Sequence, residues 1–186
     1  MSWNQDLFKR TLDFAAKAHG AQLVPGSGAP YVVHLVKVTT EVLRAADGTF
    51  EVDLAMQCAL LHDCVEDAGV AVATLREQFG ERVAQGVSAL TKDDAVPKAE
   101  RMADSLRRIQ AQPREVWLVK LADRITNLEP APAHWSVEKR AAYRAEAQVI
   151  CDALGSAHAG LAARMREKIA QYDNNASLSL PGRGSG

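Results

Sequence analysis

Apolar residues recur along this chain at intervals of three and four, the spacing of one helix face, and nowhere alternate over a strand length. Residues 4–19 carry Leu7, Phe8, Leu12, Phe14, Ala15 and Ala18 at that spacing, with Asn4 or Ser2 as a cap and Gly20 as a stop. The stretch 22–30, QLVPGSGAP, is a loop because its glycines and prolines break both regular structures. Helical spacing resumes over 31–46, with His34 in the first turn, and Asp47-Gly48 ends it. A strongly apolar helix is predicted over 53–66. Thr74 and Glu77 form a capping box for a short helix ending at Phe79-Gly80. Further helices are predicted over 81–90, 98–112 and 114–128, with Pro113 separating the last two. The last carries Trp117, Leu118, Leu121, Ala122, Ile125 and Leu128 as a core stripe. Residues 129–135 connect onward, and 136–169 supplies one or two helices with Gly155 as the break. The expected fold is all-α, a single-domain multi-helix bundle over 1–173, followed by a flexible tail over 174–186.

Composition agrees with this pattern. The chain has 186 residues, 47% hydrophobic, which is enough for one well-buried core. Aromatic content is only 5%, which favours helices over a sandwich of strands. Net charge is −1, so no general basic surface points to nucleic acid, and an anionic substrate must meet local charge or a metal. Three cysteines, Cys58, Cys64 and Cys151, form no paired motif and read as buried thiols of a reducing, cytoplasmic setting. No run approaches a membrane span or a signal core, so no membrane association is expected.

One stretch departs from the apolar pattern. Residues 59–69, ALLHDCVEDAG, place His62, Asp63, Glu66 and Asp67 within six residues. On a helix these four would share one broad face, and an imidazole among carboxylates makes a cation site. A solvated acidic helix end is the plainer alternative. Asp123 is a second anchor, in VKLADRITNL on an apolar helix, with Asn127 one turn later on the same face. A carboxylate there needs a cation, an arginine or a metal. Arg124 points about 100° away and is a poor partner. Together His34, His62, Asp63 and Asp123 suit Mn, Fe, Zn or Mg-like divalent ions. Glu66 and Asp67, one turn on, are placed to orient a water or move its proton.

Read together, AAKAHGAQ (15–22), GAPYVVH (28–34), ALLHDCVEDAG (59–69), FGERVAQGVSALTKDD (79–94), VKLADRITNL (119–128) and the pattern Trp135, Ser136, Tyr143 resemble the HD superfamily of metal-dependent phosphohydrolases. The likeness is nearest to the hydrolase domains of RelA/SpoT-type proteins and the stand-alone small alarmone hydrolases, and covers roughly residues 7–150. The resemblance implies one Mn²⁺-type ion held by His34, His62, Asp63 and Asp123, with Glu66 and Asp67 as the catalytic pair. It implies Asn127 near the sugar or phosphates, and Lys139, Arg140 and Tyr143 along the nucleotide pocket. The implied reaction removes 3′-pyrophosphate from guanosine tetra- or pentaphosphate. The sequence departs from the family at 22–26, where Gln22, Leu23, Val24, Pro25 and Gly26 stand in place of a usual Arg-Lys pair, and at Leu35, where a proline is usual. Adenine alarmones, a nucleotide phosphomonoesterase and a non-catalytic nucleotide sensor therefore stay open. His19 reads as a packing or hydrogen-bonding histidine. His134, His158, Lys92, Lys98 and Arg101 read as solvated.

Overall fold

The computed structural model describes residues 3–131 and 134–172. The tail expected over 174–186 lies outside the described residues. The elements are α1 (Gln5–His19), α2 (Val32–Arg44), α3 (Val52–Leu61), α4 (Val72–Phe79), α5 (Glu81–Leu90), α6 (Arg101–Gln110), α7 (Arg114–Asn127), α8 (Val137–Leu154) and α9 (Ala159–Gln171). A 3-10 turn, Gly155–Ala157, separates α8 from α9 at the expected break. Among the described residues there is no strand, and one isolated bridge between Leu23 and Pro30 pins the neck of the loop after α1.

Helix α3 is the axis of the bundle. Every residue from Leu54 to Leu61 is buried, so the helix is apolar all round and must be enclosed on all sides. It packs against α1, α2, α5 and α7. Its approach to α5 is tight at one point, where a Cβ added to Gly86 would lie 2.9 Å from Cys58 Sγ and 3.0 Å from Val116 Cγ2. Gly86 is thus the point where the two helices approach too closely for a side chain. Helix α7 is the second enclosed element, burying Leu118, Val119, Leu121, Ala122 and Ile125. Truncating a fully buried residue such as Met56 or Leu118 costs about 2–5 kcal/mol.

Local chemistry moves several boundaries. Asn4 caps α1, its side chain accepting from the Asp6 and Leu7 amides at 3.1 and 3.0 Å. The helix expected to run to residue 66 stops at Leu61. Three carboxylates, Asp63, Glu66 and Asp67, would otherwise crowd its last turn at the negative end of the helix dipole. The chain instead folds through turns, with Cys64 N donating to Leu61 O, Asp67 N to Asp63 O and Val70 N to Cys64 O, and Gly69 supplies a φ of 67°. The Thr74–Glu77 capping box does not form: α4 begins two residues earlier behind Ala71, and Thr74 lies inside it. Helix α6 begins at Arg101 rather than 98, after a turn in which the Glu100 amide donates to Pro97 O. Arg101 is not free in solvent but ties this turn together, donating to Val96 O at 2.9 Å and pairing with Asp94 at 3.1 Å. His158 is likewise engaged: its Nδ1 accepts from the Leu161 amide at 3.1 Å to cap α9, and its Nε2 lies 3.3 Å from Asp47. All three cysteines are buried free thiols. No described helix is long and apolar enough to cross a membrane.

Candidate metal centre

Three segments converge beside α3. Helix α2 brings His34 in its first turn, the turn after α3 brings His62, Asp63, Glu66 and Asp67, and α7 brings Asp123 and Asn127. These seven residues line one cavity of about 400 Å³. His34, His62 and Asp123 place one ligand atom each within 4.8 Å of one another. Asp63 joins them through Oδ2, 2.9 Å from His62 Nε2 and 3.6 Å from His34 Nε2. Asp123 Oδ1 lies 3.5 Å from His34 Nε2 and 3.8 Å from His62 Nε2. The four residues thus point four donor atoms at one another.

The state of His62 shows what such a cluster accommodates. Its Nδ1 lies 2.8 Å from Ala59 O, and a carbonyl only accepts, so Nδ1 carries the hydrogen. In the neutral ring Nε2 is then a bare lone pair. That atom is buried and has no hydrogen-bond partner, although Asp63 Oδ2 stands only 2.9 Å away. Two electron-rich atoms this close call for a shared cation. Without one, a proton takes its place. Burial opposes charge on the ring, but Asp63 and Asp123 overcome it and raise the His62 pKa to about 9. Burial also opposes ionisation of Asp63, and His62 still holds it down at about 2. Asp123 is buried too, and Lys120 with both imidazoles keeps its carboxyl well below the usual range.

A second layer of residues fixes these groups, and most of it lies outside the sequence-based expectation. Tyr31 Oη is 2.6 Å from Asp63 Oδ2 and 2.8 Å from Asp67 Oδ2. Burial and the two carboxylates push this phenol far above its usual range, so it stays a donor. Its ring stacks on His19 at 4.6 Å. His19 is a packing and hydrogen-bonding residue as expected, its Nδ1 2.8 Å from Gln22 Oε1 and its Nε2 3.7 Å from Cys64 Sγ. Lys92, expected in solvent, grips Glu66 twice, through its backbone amide at 3.0 Å and through Nζ at 2.5 Å. Asn127 Nδ2 donates to Asp123 Oδ1 at 2.6 Å, and Lys120 Nζ stands 3.4 Å from Asp123 Oδ2. The signal for Tyr31 was its place in GAPYVVH. Lys120 carried a signal too, three residues before Asp123 on one helix face.

Lys139, Arg140 and Tyr143 do not line this cavity. Tyr143 sits under the Arg124 guanidinium at 4.4 Å and edge-on to Trp135, whose ring carries the Lys139 ammonium at 4.2 Å. Arg124 itself turns away from Asp123, as its angular position requires, and reaches Glu146 at 3.6 Å. A cavity of similar size, about 420 Å³, opens between α2, α7 and α9, but it gathers no such cluster of donors.

An all-helical fold that directs two imidazoles and two carboxylates at one point, with further carboxylates beside them on one cavity wall, defines a metal-dependent hydrolase type of centre. The model of the HD domain family matches residues 11–160, and the chain belongs to that family. It is 31% identical over 162 residues to a Danio rerio protein named guanosine-3′,5′-bis(diphosphate) 3′-pyrophosphohydrolase MESH1, covering 84% of this chain and 89% of that protein. It is 33% identical over 129 residues to the Homo sapiens protein of the same name, covering 67% and 71% of the two chains. A solved structure described as a metazoan ortholog of SpoT that hydrolyzes ppGpp superposes with a TM-score of 0.80 at 28% identity, over 92% of this chain and 98% of that one.

Proposed function

We propose that this protein is a metal-dependent nucleotide pyrophosphohydrolase that removes the 3′-pyrophosphate from guanosine 3′,5′-bis(diphosphate)-type alarmones. The observation that carries the reading is the buried His62 Nε2 facing Asp63 Oδ2 at 2.9 Å, inside a cavity that also holds Glu66 and Asp67. The substrate comes from the names of the relatives, which this chain matches over most of its length.

His34, His62, Asp63 and Asp123 hold the ion in this reading. Mn²⁺ is the first choice, with Zn²⁺, Fe²⁺ or Mg²⁺ as other ions that two imidazoles and two carboxylates accommodate. When bound, such an ion supplies a water of lowered pKa and offsets phosphate charge. The chain's own residues do the rest. Glu66 and Asp67 orient the attacking water and accept its proton. Water adds to the phosphorus attached to the ribose 3′ oxygen, that P–O bond breaks, and the 3′ oxygen takes up a proton. Lys92 fixes Glu66, and Tyr31 ties Asp67 to Asp63, so the three carboxylates keep a common geometry. Asn127, braced on Asp123, is placed to meet the nucleotide beside the cluster. Lys139, Arg140 and Tyr143 serve only a part of the nucleotide that extends past the cavity.

One observation favours a relaxed choice of base. The loop wall of the cavity is Gln22, Val24 and Pro25, with no charge to read a purine edge, so the adenosine 3′-pyrophosphate is accepted as well. The test is a panel of guanosine and adenosine 3′-pyrophosphates with Mn²⁺, reading pyrophosphate and orthophosphate separately. Orthophosphate alone points to a phosphomonoesterase, and binding without turnover to a sensor.

A further inference from the structure

The cavity's charges are unevenly committed. Its lining contains four carboxylates, Asp63, Glu66, Asp67 and Asp123, and among the described lining residues two lysines, Lys92 and Lys120. Lys92 is spent on Glu66, through both its amide and its ammonium. Lys120 is different. Its side chain is only 17% exposed, and among the described residues its one hydrogen-bonding neighbour is Asp123 Oδ2 at 3.4 Å. Charge-assisted N–H···O bonds are normally about 2.7–2.9 Å, so this contact is long. An ammonium has three donors, and a largely buried one leaves the others unmade at a cost. Lys120 does not compete for the cluster's centre either. Asp123 faces the imidazoles with Oδ1 and turns Oδ2 to Lys120. Lys120 thus lines the cavity with donors unmatched among the described residues, beside Asp123, in a lining that also includes the uncharged Val24 and Pro25.

We propose that Lys120 is the protein's own cationic contact to the departing pyrophosphate. This rests on the pyrophosphohydrolase reading. An anionic diphosphoryl group at the cluster brings the acceptors that Lys120 lacks, and the lysine lies three residues before Asp123, on the same face of α7. The contact is with phosphoryl oxygens rather than with the base, so it weighs equally on guanosine and adenosine substrates. It also makes the site prefer a diphosphoryl group to a single phosphoryl group, because a second phosphate extends past the cluster toward the lysine.

The test is equilibrium binding of inorganic pyrophosphate, and of orthophosphate, to the Mn²⁺-loaded protein by calorimetry, with Lys120→Met and Lys120→Arg. Lys120→Met should weaken pyrophosphate binding at least tenfold, and Lys120→Arg should restore most of it. Mn²⁺ affinity should hold or tighten in Lys120→Met, because a like charge beside the ligand has gone. Pyrophosphate affinity unchanged in Lys120→Met overturns the proposal. So does a parallel loss of Mn²⁺ affinity, which would mean that Lys120 acts only by holding Asp123. Wild-type turnover yielding orthophosphate overturns the pyrophosphohydrolase reading instead, and is distinguishable because the binding measurement involves no turnover.

Discussion

Loading the metal centre should expel a proton from His62. The ring's Nδ1 hydrogen is fixed on Ala59 O at 2.8 Å, so the ion must take Nε2. In the metal-free protein that nitrogen lies among Asp63 and Asp123, which raise its pKa to about 9 against the burial that opposes charge. At pH 7, about two units lower, roughly 99 of 100 metal-free molecules carry the proton, and binding must displace it. The expected result is close to one proton released per ion at pH 7. Apparent affinity should rise about tenfold per pH unit from 7 toward 9, then level off. Calorimetry of Mn²⁺ binding in two buffers of different ionisation enthalpy reads the proton count directly. Affinity that stays flat between pH 7 and 8, with no buffer-dependent heat, would refute the reasoning. The same shift acts on the metal-free fold. A raised histidine pKa means the folded state binds more protons, so the stabilisation is complete below the free value of 6.5 and is lost as pH rises through about 9. It is worth about 3 kcal/mol, and metal-free protein should melt at lower temperature at pH 9 than at pH 6.5.

The other predictions test the surrounding structure. Tyr31→Phe removes a donor shared by Asp63 and Asp67 but keeps the ring on His19, so turnover should fall about ten- to a hundredfold while Mn²⁺ affinity stays within about threefold; parallel loss of the metal would show that the hydroxyl serves Asp63 alone. Gly86→Leu drives a side chain into Cys58 and Val116 and should cost at least about 1–3 kcal/mol in denaturant unfolding, despite leucine's better helix propensity. Thr74→Ala should leave stability within about 0.5 kcal/mol, because no cap forms at Thr74; a loss near 1 kcal/mol would restore the capping box.

Most of the architecture was legible because periodicity is a bulk signal. Helix α5 runs from Glu81 to Leu90 as its pattern predicts, and Gly155 breaks the last helical stretch where expected. The failures are local. Residues 62–66 carry nothing in their spacing that forbids a helix, and the chain leaves it there because carboxylates accumulate at the negative end of the dipole. The same unwinding still brings His62, Asp63, Glu66 and Asp67 to one cavity wall. In the site, residue type pointed to the groups with chemistry but not to their supports. A tyrosine at the start of a helix and a lysine in a polar stretch give no sign of their partners in one dimension. Only the fold places Tyr31 on Asp63, thirty-two residues away, and Lys92 on Glu66, twenty-six away. For Lys139, Arg140 and Tyr143, resemblance pointed to a pocket, and the fold places Lys139 and Tyr143 in an aromatic and cationic cluster outside the cavity.

The central claim is that four convergent side chains hold an ion used to release a pyrophosphate. The most direct test is product analysis of the Mn²⁺-loaded protein on guanosine 3′,5′-bis(diphosphate), run beside Asp63→Asn with bound metal measured in both. The account predicts stoichiometric pyrophosphate and GDP from the wild type, with both metal and product lost together in the variant. Full turnover by a metal-free Asp63→Asn variant would contradict it.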